Sequence, residues 1–170
     1  FDIIKRLADA NDTTIIGLHA HSGSGIVYVN NWLKLAKTLL ALRTIFTDVR
    51  IIDLGGGLGV PEKVGQPPLD LSALDTALLP VTQQHPDIDF WLEPGRYLVT
   101  EAGVLLTTVT QVKHKPSLTF VGVDAGMHTL IRPALYGSYH QIVNLTRLNQ
   151  PKTQLTHVVG PICESGDVLG

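Results

Sequence analysis

The sequence predicts an α/β fold, in which parallel strands alternate with helices, followed by part of an antiparallel β domain. Three observations carry this reading. The β-branched or aromatic-rich segments TTIIGLHAH (13–21), VRIIDL (49–54) and DIDFWLEPGR (87–96) alternate with helical patterns, the signature of a parallel sheet covered by helices. Each of these runs ends in a chemically dense loop: HSGSG, GGGLG or EPGR. Beyond about residue 103 the long helical patterns stop, and short Val- and Thr-rich segments separated by turn residues follow.

The elements can be justified in order. FDIIKRLADA (1–10) has Ile3, Ile4, Leu7 and Ala10 at helical spacing. The run at 13–21 reads as a buried strand ending in a turn at SGSG. NNWLKLAKTLLALRTIF (30–46) sets Trp32, Leu35, Leu39 and Leu42 at helical spacing, with Asn30 or Asn31 as its cap. VRIIDL is a second buried strand, and VPEKVGQPPLD (60–70) a Pro-rich loop. LDLSALDTALLPVTQQH (69–85) contains a helix, and 87–96 is the third strand, closed by Pro94 and Gly95. GVLLTTVTQVKHK (103–115), SLTFVGVDAG (117–126), HQIVNLTRL (140–148) and QLTHVVGP (154–161) read as antiparallel strands, so a domain change is placed near residues 101–104.

The 170 residues are 44% hydrophobic and 16% charged, a globular composition. Thirteen basic and fifteen acidic residues give a net charge of −2 without a basic cluster, which argues against nucleic acid and anionic membranes as partners. No apolar run reaches the length of a membrane span. Cys163 is the only cysteine, so no internal disulfide can form; this fits a reducing, cytoplasmic compartment. The start at Phe1 and the stop just after CESGD suggest a segment of a longer protein.

The strand ends carry the chemistry. In α/β folds, ligands bind at the carboxyl ends of the strands. Glycine-rich loops there expose N–H groups suited to an anion, so a phosphate approaching Gly55, Gly56 and Gly57 would explain why no side chain is tolerated. A tight turn needing positive φ explains the triplet as well. Glu93 ends a run that reads as a buried strand and needs a cationic or proton-donating partner, with Arg96 one candidate. His21 is either a ligand contact or a core histidine bonded to backbone. CESGD (163–167) gathers a thiol, two carboxylates and a hydroxyl. Arg132 and Tyr136, four apart in LIRPALYG, share one side of a helical turn, as substrate contacts or as a surface Arg packed on a Tyr. No metal-ligand spacing is present.

In this order, HSGSG, DLGGGLG, LEPGRYLV, VDAGMHTLIRPALYG and GPICESGDVLG resemble the pyridoxal-phosphate-dependent decarboxylases of the alanine-racemase-like fold, from about Gly17 to Gly170. RPALYG and CESGDVLG favour the branch acting on diaminopimelate over the ornithine and arginine branches. HSGSG, in place of the commoner HIGSQ, leans towards the ornithine type, and His128 stands where Asn is more usual.

The resemblance implies the C-terminal half of a (β/α)8 TIM barrel (residues 1–103), followed by part of a β-sandwich or barrel-like domain (104–170). It implies pyridoxal 5′-phosphate as cofactor. His21 would lie against its ring, Ser24, Gly55, Gly56 and Gly57 would hold its phosphate with Arg96 near it, Gly95 would also bind the cofactor, and Glu93 would pair with the ring nitrogen. Arg96, Arg132, Tyr136 and Glu164 would contact the amino-acid substrate. His21, Glu93 and Cys163 would be catalytic, with Cys163 a proton donor. Cys163 and Glu164 would reach the partner subunit's site in a homodimer. The expected reaction converts meso-2,6-diaminopimelate to L-lysine and carbon dioxide. Decarboxylation of ornithine, lysine, arginine or carboxynorspermidine, or a non-catalytic regulatory role, are the alternatives. The family's cofactor-bearing lysine would lie upstream of Phe1, so the segment alone is expected to be inactive.

Overall fold

A computed structural model describes residues 1–63 and 65–170; Val64, in the expected loop at 60–70, lies outside the described residues. The chain forms two compact units, Phe1–Pro61 with Pro67–Gly103, and Glu62–Gln66 with Val104–Gly170.

In the first unit, α1 (Asp2–Ala10), α2 (Asn30–Ala41), α3 (Leu71–Gln84) and α4 (Gly95–Val99) accompany three short strands, β1 (Gly17–His19), β2 (Ile51–Asp53) and β3 (Asp89–Trp91). The strands are parallel in the order β1-β2-β3. Their register sets Leu18, Ile52 and Phe90 in one row and His19, Asp53 and Trp91 in the next. Because successive strand side chains point to opposite faces, the first row turns toward the helices and the second away from them. Ile52 is wholly buried in a core with Trp32, Ala36 and Leu39 of α2 and Leu74 and Val81 of α3. Those α2 positions are four and three apart, one helical face. Asp70 caps α3, its carboxylate accepting the Ala73 N–H at 3.0 Å.

Several expected features differ. The strands are three residues long, shorter than the apolar runs that contain them. Neither Asn30 nor Asn31 caps α2: Val29 is the capping position, and the Asn31 amide donates to Ser22 Oγ at 2.7 Å. The third strand stops at Trp91, and EPGR opens α4 instead. On α1 the apolar stripe of Ile3, Ile4 and Leu7 forms as expected, but all three are more than half exposed.

The second unit holds β4 (Val109–Lys115), β5 (Leu118–Val123), the short helix α5 (Arg132–Tyr136) and β6 (His157–Val159). β4 pairs antiparallel with β5, whereas β6 pairs parallel with it. The sheet is therefore mixed rather than purely antiparallel. A parallel neighbour requires a crossover connection, and residues 124–156 supply one. HQIVNLTRL forms no strand. His140 is half-buried, residues 141–148 are exposed, and Leu145–Arg147 make a 3-10 turn; alternation selects a strand only where one face is buried.

No described helix is long and apolar enough to cross a membrane.

Candidate functional site

The three strand tips of the first unit continue their ladder into the loops. Leu54 N–H donates to Trp91 O at 2.9 Å and Glu93 N–H to Gly55 O at 2.9 Å, while Ala20 N–H reaches Asp53 O at 3.1 Å. The period of two then aligns His21, Gly55 and Glu93 two residues beyond His19, Asp53 and Trp91, on the same face. The loop after β1 is stitched to the loop after β2: Ile26 N–H donates to Gly57 O and Gly59 N–H to Ile26 O, each at 2.8 Å. The result is a cavity of about 230 Å³ whose lining includes His21, Ser24, Gly57, Glu93, Gly95 and Arg96.

Within it, Arg96 donates to Ser24 Oγ at 2.6 Å, joining the β1 loop to α4. His21 Nδ1 accepts the Gly56 N–H at 3.1 Å, so in the neutral ring the proton sits on Nε2.

The backbone of the glycine triplet fits the second of the two explanations that the sequence left open, a tight turn at positive φ. Gly55 and Gly57 have φ of +64° and +85°, where an L side chain is strained. A Cβ on Gly56 would lie 2.2 Å from Glu93 O, and one on Gly57 only 2.0 Å from Gly23 O. The atoms that exclude side chains here are neighbouring strand-tip backbones. Two of the three amides are also committed, Gly55 N–H to Asp53 Oδ1 at 2.9 Å and Gly56 N–H to His21. Of the triplet, only Gly57 lines the cavity. Gly95 is the opposite case: it lines the cavity, and a Cβ there would have no atom within 4 Å.

Within this segment Glu93 is not buried as the apolar strand suggested. Its side chain is 56% exposed, because it keeps the phase of Asp89 and Trp91, the face turned from the helices. Its Oε2 lies 3.3 Å from His19 Nε2. Asp53 completes a group of three whose ligand-type atoms all lie within 4.8 Å of one another. His19 and Asp53 were not singled out in the sequence; the one signal available was that His19 shares the phase of His21.

In the second unit, Arg132 and Tyr136 meet as their spacing requires. The guanidinium carbon lies 5.6 Å from the Tyr136 ring centre, and Arg132 also donates to Ser138 Oγ at 3.0 Å. Cys163 is exposed. The Gly166 N–H, and secondarily the Ser165 hydroxyl, hold the Glu164 carboxyl below its ordinary value. Asp167 anchors this turn. It is only 3% exposed, and its oxygens accept Met127 N–H at 2.5 Å and Ile162 N–H at 2.7 Å. Gly126 and Gly160 pack so tightly on it that a Cβ on either would approach its carboxylate to 2.5 or 2.3 Å.

The chain resembles known proteins along most of its length. A diaminopimelate decarboxylase of Archaeoglobus fulgidus is 40% identical over 165 residues, covering 91% of this chain and 38% of the relative. The solved structure of AQ1208 from Aquifex aeolicus superposes with a TM-score of 0.86 at 32% identity, over 99% of this chain and 42% of that one. Diaminopimelate decarboxylase of M. jannaschii, solved with L-lysine, gives 0.84 at 29% identity over 99% and 41%. The chain thus spans about two fifths of the length of the relatives it matches. The family model for the C-terminal sheet domain of pyridoxal-dependent decarboxylases matches residues 10–170, and the chain belongs to that family.

Proposed function

We propose that this chain is the C-terminal portion of a pyridoxal-phosphate-dependent carboxy-lyase that converts meso-2,6-diaminopimelate to L-lysine and carbon dioxide. The observation that carries the reading is the convergence of His21, Ser24, Gly57, Glu93, Gly95 and Arg96 on one cavity from three successive strand tips. The residues fit a phosphorylated pyridine. Arg96 and Ser24 are donors already in contact, and Gly95 leaves space that no protein atom fills. Glu93 offers an acceptor and His21 a ring at the same cavity. The relatives' names, and the L-lysine held by the M. jannaschii enzyme, support the substrate.

When bound, the cofactor supplies an electron sink for the carbanion left by loss of carbon dioxide. This chain's residues then have separable tasks. Glu93 would accept a hydrogen bond from the ring nitrogen and favour its protonated form, the state in which the ring withdraws charge best. His21, which lines the cavity, would lie against the ring. Ser24, Arg96 and the backbone at Gly57 and Gly95 hold the phosphate; the internal hydrogen bonds of Gly55 and Gly56 leave those two to shape the loop. Arg132 offers a carboxylate its planar fork, with Tyr136 beneath it. Glu164, held ionised by Gly166 and Ser165, receives the distal ammonium of the substrate. The Cys163 thiol delivers a proton to carbon. Cys163 and Glu164 act in the partner subunit's site of a cytoplasmic homodimer.

The test uses the full-length parent protein, reconstituted with pyridoxal phosphate and supplied separately with meso-diaminopimelate, lysine, ornithine, arginine and carboxynorspermidine. Carbon dioxide release from meso-diaminopimelate alone is the expected result. Release only from a substrate with one carboxylate overturns the substrate assignment. Cofactor binding without turnover of any of them identifies a non-catalytic homologue.

A further inference from the structure

We infer that His19 is a positioning residue for Glu93, holding the carboxylate that faces the cofactor ring; the inference rests on the function proposed above. Glu93 lines the cavity and His19 does not figure in its lining. Yet His19 Nε2 is 3.3 Å from Glu93 Oε2, a hydrogen bond spanning 74 residues of sequence. His19 thus grips one carboxylate oxygen from two residues below on the same face.

The need for such a grip follows from Glu93's surroundings. A glutamate has considerable rotamer freedom to lose. Asp53, in register with His19 on β2, brings a second carboxylate within 4.8 Å of both groups. Two carboxylates that close repel each other, and Glu93 left alone would swing away from Asp53. Asp53 is itself fixed by the Gly55 N–H at 2.9 Å, so Glu93 would be the one to move. A donor at His19 Nε2 holds Glu93 in place and offsets the repulsion. That donor exists in one neutral tautomer and in the imidazolium alike.

The test compares wild type, His19→Leu, His19→Gln and His19→Asn in the full-length protein. Gln can place an amide N–H near the position of Nε2, whereas Asn is a methylene short. The readouts are the dissociation constant for pyridoxal phosphate, the visible spectrum of the bound cofactor as a function of pH, and apo-protein unfolding. The expected result is about ten-fold weaker cofactor binding in His19→Leu, together with a spectrum shifted toward an unprotonated ring nitrogen. His19→Gln recovers most of both, and His19→Asn does not. Should His19→Leu also destabilise the apo protein, the Gln and Asn pair decides the matter. The inference is overturned if His19→Leu matches wild type in affinity and spectrum, or if Gln is no better than Asn. It is equally overturned if a chelator strips the cofactor from wild type, since the three side chains would then be metal ligands. A wild-type protein that never binds pyridoxal phosphate removes the proposed function and this assignment together, whereas a silent His19→Leu in a protein that binds it removes only this one.

Discussion

Replacing Gly57 by Ala tests why the glycine run exists. Two effects act at this position. At φ of +85° a Cβ costs about 1–2 kcal/mol. That Cβ would also stand 2.0 Å from Gly23 O, so the loop after β1 must retreat by more than an ångström. Overpacking of this kind costs about 1–3 kcal/mol, and loss of the Ile26 N–H bond to Gly57 O adds about 1 kcal/mol. The sum is about 3–6 kcal/mol. Gly25→Ala is the matched control: its φ is +72°, but nothing lies within 4 Å of the added Cβ, so the strain of about 1–2 kcal/mol acts alone. Urea unfolding of the apo full-length proteins measures the difference through the midpoints. If neighbouring backbone excludes the side chain, Gly57→Ala is less stable than Gly25→Ala by about 2 kcal/mol or more before any ligand is added. If instead only a ligand phosphate excluded it, the two apo proteins would unfold alike and differ in cofactor affinity alone. Equal apo midpoints refute the packing argument.

Gly95→Ala should leave apo unfolding unchanged, since its Cβ meets open space, yet weaken pyridoxal phosphate binding about ten-fold on a fluorescence titration. Asp70→Ala removes the α3 cap and should cost about 1 kcal/mol by urea denaturation. Asp167→Ala strands the Met127 and Ile162 amides and empties a buried site. It should cost about 2–5 kcal/mol and change the rate at which Cys163 reacts with a thiol reagent. The Asp87 carboxyl is held below its ordinary value first by the Arg43 guanidinium at 2.5 Å, so an NMR titration of Arg43→Ala should show it rising. A depressed folded-state value stabilises above the unfolded value of about 3.9 and is lost as pH falls through the folded one. The deficit of Arg43→Ala should therefore shrink in acid.

The fold was legible wherever burial writes a pattern. α2 and α3 fell where their spacing put them, and the three parallel strands sit inside the apolar runs at 13–21, 49–54 and 87–96. The runs overstate strand length because they record burial rather than pairing: Val49 and Leu54 are buried but flank the three-residue ladder of β2. The same limit produced the strand expected at 140–148. Ile142 and Val143 are 43% and 45% exposed, so neither phase of that alternation faces a core. Pairing direction is invisible to such patterns too. Nothing in QLTHVVGP distinguishes a strand antiparallel to β5 from the parallel β6, because both orientations bury alternate residues alike.

The candidate site was legible in its residue types but not in its internal bonds. Dense polar and glycine-rich tips after apolar strands drew attention to His21, Glu93 and the glycine run, whereas Ser24 and a ligand role for Arg96 came only from the family resemblance; parallel topology alone suffices to bring strand tips to one edge. What each group touches depends on register. His19 meets Glu93 because Gly17 pairs with Ile51 and Ile51 with Asp89; a two-residue slip in either pairing would leave every apolar side chain on its face and separate the two. The glycines obey the same logic. A sequence can say that Gly56 and Gly57 tolerate no side chain, but whether a phosphate or a carbonyl forbids it depends on how closely the loops at Gly23 and Glu93 are drawn in. Here the carbonyls are 2.0 and 2.2 Å from where the Cβ atoms would be, so the glycines first of all allow the three tips to close on one another, and the cavity that could receive a phosphate is a consequence of that closure.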